Sequence, residues 1–252
     1  METRLKESLI RELYELEETH WWFVAKRRLI TEICERYFKA EGGAALDIGS
    51  GAGRILMDLE KIYGLGVGLD SSPAAIGFCR ARGLKNLVTA QAEAGLPFKT
   101  DCFSAVVCSD VLEHLDRDAD VLKEIYRITA PEGGVAISVP AAPEMFGYWD
   151  ELHEHKRRYS KESLRELVSA AGFKIELLSF SNFFIYAPAK TVRRLKMALS
   201  GARGGENVKS DLGITSKPIG VAMSFVYGIE RKLILKTGLP AGLSLVCVAR
   251  KT

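Results

Sequence analysis

The densest chemical information in the chain lies in Asp47, Gly49, Gly51, Gly53 and Asp70. The apolar run Ala44–Ile48 carries an acid near its end, glycines follow at alternate positions, and a helix-like pattern spans Ile55–Ile62. This reads as a buried strand, a turn free of side chains and a helix N-terminus. Glycine lets the backbone take positive φ and lets a ligand approach the main chain closely. The unpaired N–H groups and positive dipole end of the helix then favour an anionic or carboxylate-bearing ligand. Gly66–Asp70 reads as a second buried strand, and Asp70 lies 23 positions beyond Asp47. That is near the spacing at which an acid meets ribose hydroxyls in nucleotide-binding α/β folds. A carboxylate can accept both hydroxyl protons of a ribose. The competing reading makes Asp70 only a cap for the helix that Ser71-Ser72-Pro73 opens. A dinucleotide fingerprint would place a glycine three residues after the second one; Arg54 and Leu56 stand in the two candidate slots, so the nicotinamide form fails.

A second group of residues suits proton transfer. The apolar strand Phe103–Cys108 runs into Ser109-Asp110-Val111-Leu112-Glu113-His114-Leu115, and open α/β sheets take ligands at such strand ends. His114 could serve there as general base or substrate anchor. The plainer reading is a helix-start histidine that only packs. Farther on, residues 148–160 hold His153, His155, Arg157, Arg158 and Tyr159. Together these types can orient and deprotonate a hydroxyl or bind an anionic substituent. Their plainer role is to tie the loop to the sheet through Arg158 and Tyr159. His-x-His beside acids could also ligate a metal, but no third, spaced His or Cys accompanies the pair, so none is expected.

With these residues in view, the sequence resembles the class I S-adenosylmethionine (SAM) methyltransferases along most of its length. Asp47 to Gly53 follows D-x-G-x-G-x-G, their motif I, and Asp70 stands as in motif II. Asp101-x-Phe103 to Leu112-Glu113-His114-Leu115 is similar to motif IV of the small-molecule branch, and Pro131-Glu132-Gly133-Gly134 with its strand to motif V. The Trp21-Trp22 pair and the following arginines, in the segment Glu17-Glu18-Thr19-His20-Trp21-Trp22-Phe23-Val24-Ala25-Lys26-Arg27-Arg28, look like the N-terminal segment of ubiquinone-type O-methyltransferases and related bacterial enzymes. The resemblance implies S-adenosyl-L-methionine as cofactor. Asp47, Gly49, Gly51 and Gly53 would hold its methionine end, Asp70 with Ser71 its ribose, and Glu93 with the Ala92 N–H its adenine. Glu93 departs from the commoner aspartate, which changes its reach. Asp110 would border the cofactor, and the N-terminal segment would cover it, with Trp22 and Arg28 in contact; Trp21 more simply staples the segment to the core.

The elements that must position these residues follow from periodicity. The expected fold class is α/β, a doubly wound, seven-stranded Rossmann-like sheet with an antiparallel last strand, an N-terminal helical lid and a helical insertion before the last strand. The expected organisation is a lid over 1–40, a SAM-binding core over 41–180, a helical cap over 181–242 and the last core strand over 243–252. Leu5–Leu16 has helical apolar spacing. Further strands are expected over Asn86–Ala90, Val135–Val139, Phe173–Phe180 and Leu243–Ala249, and helices over Asp118–Ile128 and Ser160–Ala171. The insertion begins with a basic stretch: Lys190–Lys217 holds seven Lys or Arg against two acids, +5 in a chain of net +3. A basic helix, a glycine-rich joint and an apolar helix over 219–235 suit either an interfacial segment touching anionic lipid or a solvated helix pair covering the sheet.

Composition narrows the rest. The chain has 252 residues, 47% hydrophobic and 27% charged, the profile of one globular domain with additions. Its five cysteines are odd in number and form no C-x-x-C pair, which disfavours a disulfide framework and favours a reducing cytoplasm. The charged start lacks the apolar core of a signal peptide, and the most apolar stretches are about half the ~20 residues of a membrane span. A cytoplasmic protein is expected, at most peripheral to a membrane through 190–217, and no nucleic-acid partner is expected. The expected activity is methyl transfer to a small-molecule acceptor, most readily a hydroxyl of an apolar or lipid-linked substrate. The competing readings are a SAM- or nucleoside-binding regulatory module without turnover, a methyltransferase acting on protein, and a nucleotide-sugar or nicotinamide oxidoreductase.

Overall fold

A computed structural model describes residues 14, 16–38, 42–188, 190–191 and 217–252. Most of the helix expected over 5–16 and most of the basic stretch 190–217 lie outside the described residues. The strands are β1 (Ala44–Ile48), β2 (Leu65–Asp70), β3 (Leu87–Thr89), β4 (Phe103–Ser109), β5 (Thr129–Pro140), β6 (Lys174–Ser181) and β7 (Ser244–Arg250). They form one sheet in the order β3-β2-β1-β4-β5-β7-β6. Neighbours from β3 to β5 are parallel, while β7 runs antiparallel to both β5 and β6. This is the seven-stranded arrangement expected from the sequence.

Helices cover both faces: α1 (Trp21–Tyr37), α2 (Arg54–Tyr63), α3 (Pro73–Ala81), α4 (Asp118–Ile128), α5 (Tyr148–Leu152), α6 (Lys161–Ala170) and α7 (Lys217–Lys236). Side chains alternate across a strand, so β4 sends Ala105 and Val107 to the face covered by α1, α2 and α7, and Val106 and Cys108 to the face covered by α4 and α6. On α4, Val121, Leu122, Ile125 and Ile128 form the buried stripe. Local signals set the helix starts. The Ser72 hydroxyl accepts the Ala75 N–H ahead of α3, with Pro73 in its first turn. Ser160 and Ser163 cap α6 reciprocally.

β5 begins six residues before the expected Val135. Thr129 pairs with Phe103, the register then slips, and pairing resumes at Gly134 with Ala105. Pro131-Glu132-Gly133 is therefore a bulge inside the strand, with Glu132 at φ 61°, and a bulge built from turn residues reads in sequence as a turn before a strand. The insertion returns through α7, which sends Ile234 and Leu235 into the core beside α1 and α2. From β1 the chain winds outward through β2 and β3, and from β4 it winds the other way. The switch falls between β1 and β4, where open sheets leave a crevice.

Candidate functional site

The crevice is built first by the turn after β1. Gly49 takes φ +71°, and a Cβ there would lie 2.4 Å from Val111 Cγ2, so the turns after β1 and β4 touch with no room for a side chain. Gly53 opens α2 at φ +87°, where a Cβ would meet Leu84 Cδ1 at 2.6 Å and Cys79 Sγ at 2.9 Å. Asp70, at the end of β2, faces this turn. Its Oδ2 accepts the Gly51 N–H at 2.9 Å and its Oδ1 the Ser72 N–H at 2.8 Å. The Ser71 N–H also reaches it. Asp70 thus steadies the entry to α3 and ties it to the turn after β1. Burial raises its pKa, against the pull of those N–H donors. Asp47 is buried on the α2 side of β1, and burial, with Glu17 and Asp70 close by, raises its pKa well above the carboxylate range.

A second cluster lies at the end of β4. Asp110 sits at φ 54°, its N–H bound to the Ser138 carbonyl, and its carboxylate pairs with the Lys26 ammonium of α1. Lys26 also lies 4.5 Å from the centroid of the Trp22 ring, one helical turn back. Glu113 is fully buried, and neither carboxylate oxygen has a hydrogen-bond partner among the described residues. Burial raises the Glu113 pKa and lowers that of Lys26, while each charge favours the other. The His114 and His155 rings meet edge to face, centroids 4.9 Å apart. Burial and the neighbouring His155 lower the His114 pKa, which keeps its imidazole neutral. His155 Nδ1 faces Asp150 Oδ1 at 3.0 Å, which fixes the orientation of its ring. Burial works to raise the Asp150 pKa, but bonds from His155 and Arg158 outweigh it and hold it low. Glu113, His114 and His155 offer ligand atoms all within 4.8 Å of one another, a set that could take a metal ion. His153 is not in that set; its exposed ring lies 5.8 Å from His155.

Other expected residues are placed as follows. The Tyr159 hydroxyl is buried, donating to Asp118 Oδ2 at 2.7 Å and close to the Leu112 carbonyl at 3.1 Å. Arg158 binds Asp150 and the Ala141 carbonyl, so both residues tie the loop down. Trp22 Nε1 donates to Asn182 Oδ1 at 3.2 Å, linking α1 to the start of the insertion. Arg28 lines a cleft between α1 and α7 with Trp21 and Arg231. One position earlier, and about 100° around the helix, Arg27 faces α2, 3.2 Å from Asp58. Ala92 is buried at the start of a single 3₁₀ turn, and Glu93 Oε1 accepts the Arg117 N–H at 2.7 Å. Lys26, Glu113 and Glu17 are the members that sequence reasoning left out. Lys26 was findable by its helical spacing from Trp22; Glu113 and Glu17 were not, because only the tertiary path brings them in.

Sheet order, crevice and glycine turn, with the similarities that follow, support a SAM-dependent methyltransferase. Residues 46–137 match the family model described as a methyltransferase domain, and the chain carries that domain. It is 27% identical over 166 residues to the O-methyltransferase rstn1 of Aspergillus nomiae, covering 60% of this chain and 73% of that protein. It is 28% identical over 156 residues to the ubiquinone biosynthesis O-methyltransferase of Aeromonas salmonicida, covering 55% and 66%. Matched segments span from 48% to 73% of the length of such curated relatives. A solved SAM-dependent methyltransferase from Thermotoga maritima has a TM-score of 0.60 at 20% identity, covering 98% of this chain and 97% of that one, a likeness of fold. The cofactor is S-adenosyl-L-methionine. The crevice suits it in its acids: Asp70 accepts the Gly51 N–H of the turn after β1, and Asp47 and Glu17 lie close by.

Proposed function

We propose that the protein methylates a hydroxyl oxygen of an apolar or lipid-linked small molecule. The observation that carries this reading is the histidine pair beside Glu113: His114, kept neutral by burial, against His155, whose ring is fixed by Asp150. When bound, SAM supplies a methyl group on an already activated sulfonium. Asp47 and the glycines hold its methionine end, Asp70 and Ser71 its ribose, and Ala92 and Glu93 its adenine. A neutral imidazole can take the proton that the acceptor hydroxyl must lose. Holding the acceptor close accounts for much of the rate, since placement alone can supply several kcal/mol. In this reading Tyr159 fixes the loop that carries His155, and His153 borders the entrance.

The test is substitution of His114, His153 and His155 by Gln and of Tyr159 by Phe, one at a time, on a panel of phenols and quinols. Turnover is measured separately from SAM affinity. His114→Gln should lose about 100-fold in kcat with SAM affinity kept, and unchanged turnover in all four variants discards the assignment.

The lipid-linked acceptor goes with a proposed membrane contact. On α7, Val221 and Phe225 are each 72% exposed, and Ile229 and Leu233 continue the same stripe one turn apart. The basic stretch 190–217 directly precedes it in sequence, and such a pairing suits an anionic bilayer surface. No helix among the described residues is long and apolar enough to cross a membrane. Flotation with phosphatidylglycerol vesicles should carry the full chain and not one lacking 190–217. Absence of binding by either removes the membrane contact.

A further inference from the structure

The N–H groups of the glycine turn are already taken, and two of the acceptor groups are acids from elsewhere in the chain. The Gly51 N–H donates to Asp70, and the Gly53 N–H to the Ser50 carbonyl at 2.8 Å. The N–H groups of Ala52 and Arg54, at the head of α2, donate to the carboxylate of Glu17. Glu17 comes from the segment ahead of α1, and its Oε1 stands 3.6 Å from where a Gly51 side chain would start. Among the described residues its other oxygen, Oε2, is buried without a hydrogen-bond partner, and the closest cation in ion-pair range is Arg82 at 4.0 Å.

Neighbouring contacts fix this placement. Glu18 Oε1 binds Arg82 and lies 3.5 Å from Arg54 Nη1. Arg82 Nη2 donates to the Tyr14 carbonyl at 3.0 Å, and the Tyr14 ring stacks on Phe78 with centroids 4.7 Å apart. The segment therefore rests on α3 and on the head of α2, and it delivers a half-satisfied carboxylate into the crevice. A buried oxygen without a donor costs about 1–3 kcal/mol. Glu17, Asp47 and Asp70 crowd the same turn closely enough for Glu17 and Asp70 each to raise the Asp47 pKa. Arg82 and Arg54 stand near these acids, but Arg82, at 4.0 Å, is the only cation in ion-pair range of Glu17 Oε2 among the described residues, so that oxygen can still take a donor.

The cofactor has one to offer, the α-ammonium of its methionine end. We propose that Glu17 is a cofactor-binding residue whose Oε2 accepts a hydrogen bond from the SAM α-ammonium, so that the segment ahead of α1 completes the methionine subsite. This rests on the SAM reading of the crevice. The opposing reading has Glu17 as a plug that the cofactor's own carboxylate must expel from the Ala52 and Arg54 N–H groups.

Calorimetry on the full chain separates the two. S-adenosylhomocysteine carries the amino-acid end, whereas 5′-methylthioadenosine lacks it but keeps the adenosine. Glu17→Gln, with its fold checked by thermal melting, should weaken S-adenosylhomocysteine and SAM by a factor of about ten. Its affinity for 5′-methylthioadenosine should stay that of the parent. Equal or tighter binding of S-adenosylhomocysteine by the variant overturns the proposal and marks Glu17 as a plug. Equal loss for both nucleosides also overturns it and marks Glu17 as structural. A parent protein that binds none of the three fails the SAM reading itself.

Discussion

Glu17 and Glu113 hold carboxyl groups where water scarcely reaches, and the pH dependence of stability should record it. Burial pushes the Glu17 pKa from 4.5 up to about 7. A group whose folded pKa is raised stabilises the fold fully below its unfolded value, and that contribution is lost as pH rises through the folded value. For Glu17 the window runs from pH 4.5 to about 7, and the loss is at most about 3 kcal/mol at 1.36 kcal/mol per unit. Glu17→Gln should therefore gain stability relative to the parent between pH 5 and pH 8, read from urea midpoints at both values; parallel shifts would refute the burial argument. Lys26→Met should cost about 1–3 kcal/mol in denaturant unfolding, because it leaves the Asp110 carboxylate without its ion-pair partner, and Lys26→Met with Asp110→Asn should recover part of that. At this scale the sequence showed what lies close along the chain or at strand ends. Asp47, the glycines, Asp70 and His114 were all legible that way. Arg28 was expected on the cofactor and lines the α7 cleft, because a one-residue choice on a helix is a 100° choice of face that spacing from Trp22 alone does not settle.

At the level of elements, the turn after β1 and the anchor of α7 are the most exposed to single changes. Gly53→Ala must hold a side chain at φ +87° against Leu84 and Cys79, which should cost about 1–3 kcal/mol and weaken SAM binding in the same calorimetric titration. The anchor is Glu230, buried, which accepts the Asn182 N–H at 2.5 Å and the Phe183 N–H at 3.1 Å, beside a Tyr227 hydroxyl bound to Asn182 Oδ1. Glu230→Ala strands two buried donors and should lower stability by about 2–4 kcal/mol, measured by denaturant unfolding, with little change in 5′-methylthioadenosine affinity. Helix boundaries were readable because caps are local: Ser72 with Pro73, and Ser160 with Ser163, sit in sequence where they act. The start of β5 was not, since its bulge is defined by pairing with β4. Nor was the anchor, which joins residues 48 positions apart.

For the molecule as a whole, the two faces of the sheet are packed so that thiols report on integrity. Cys34, Cys79, Cys108 and Cys247 are buried, and Cys102 alone of the five is exposed. Brief iodoacetamide treatment of the native protein should give a single adduct, on Cys102, and five in urea; early labelling of Cys247 would show that β7 detaches. The order of the sheet was legible only through resemblance, since periodicity identifies strands but not their neighbours. That β7 fills the gap between β5 and β6 also sets a schedule for the chain as it is made. While it emerges from the ribosome, β5 and β6 are both present but share no hydrogen bonds, and each offers a bare edge to any other nascent strand. The exit tunnel must release residues 244–250 before either edge is closed, so these edges are most prone to aggregate after β6 has emerged and before β7 has followed it.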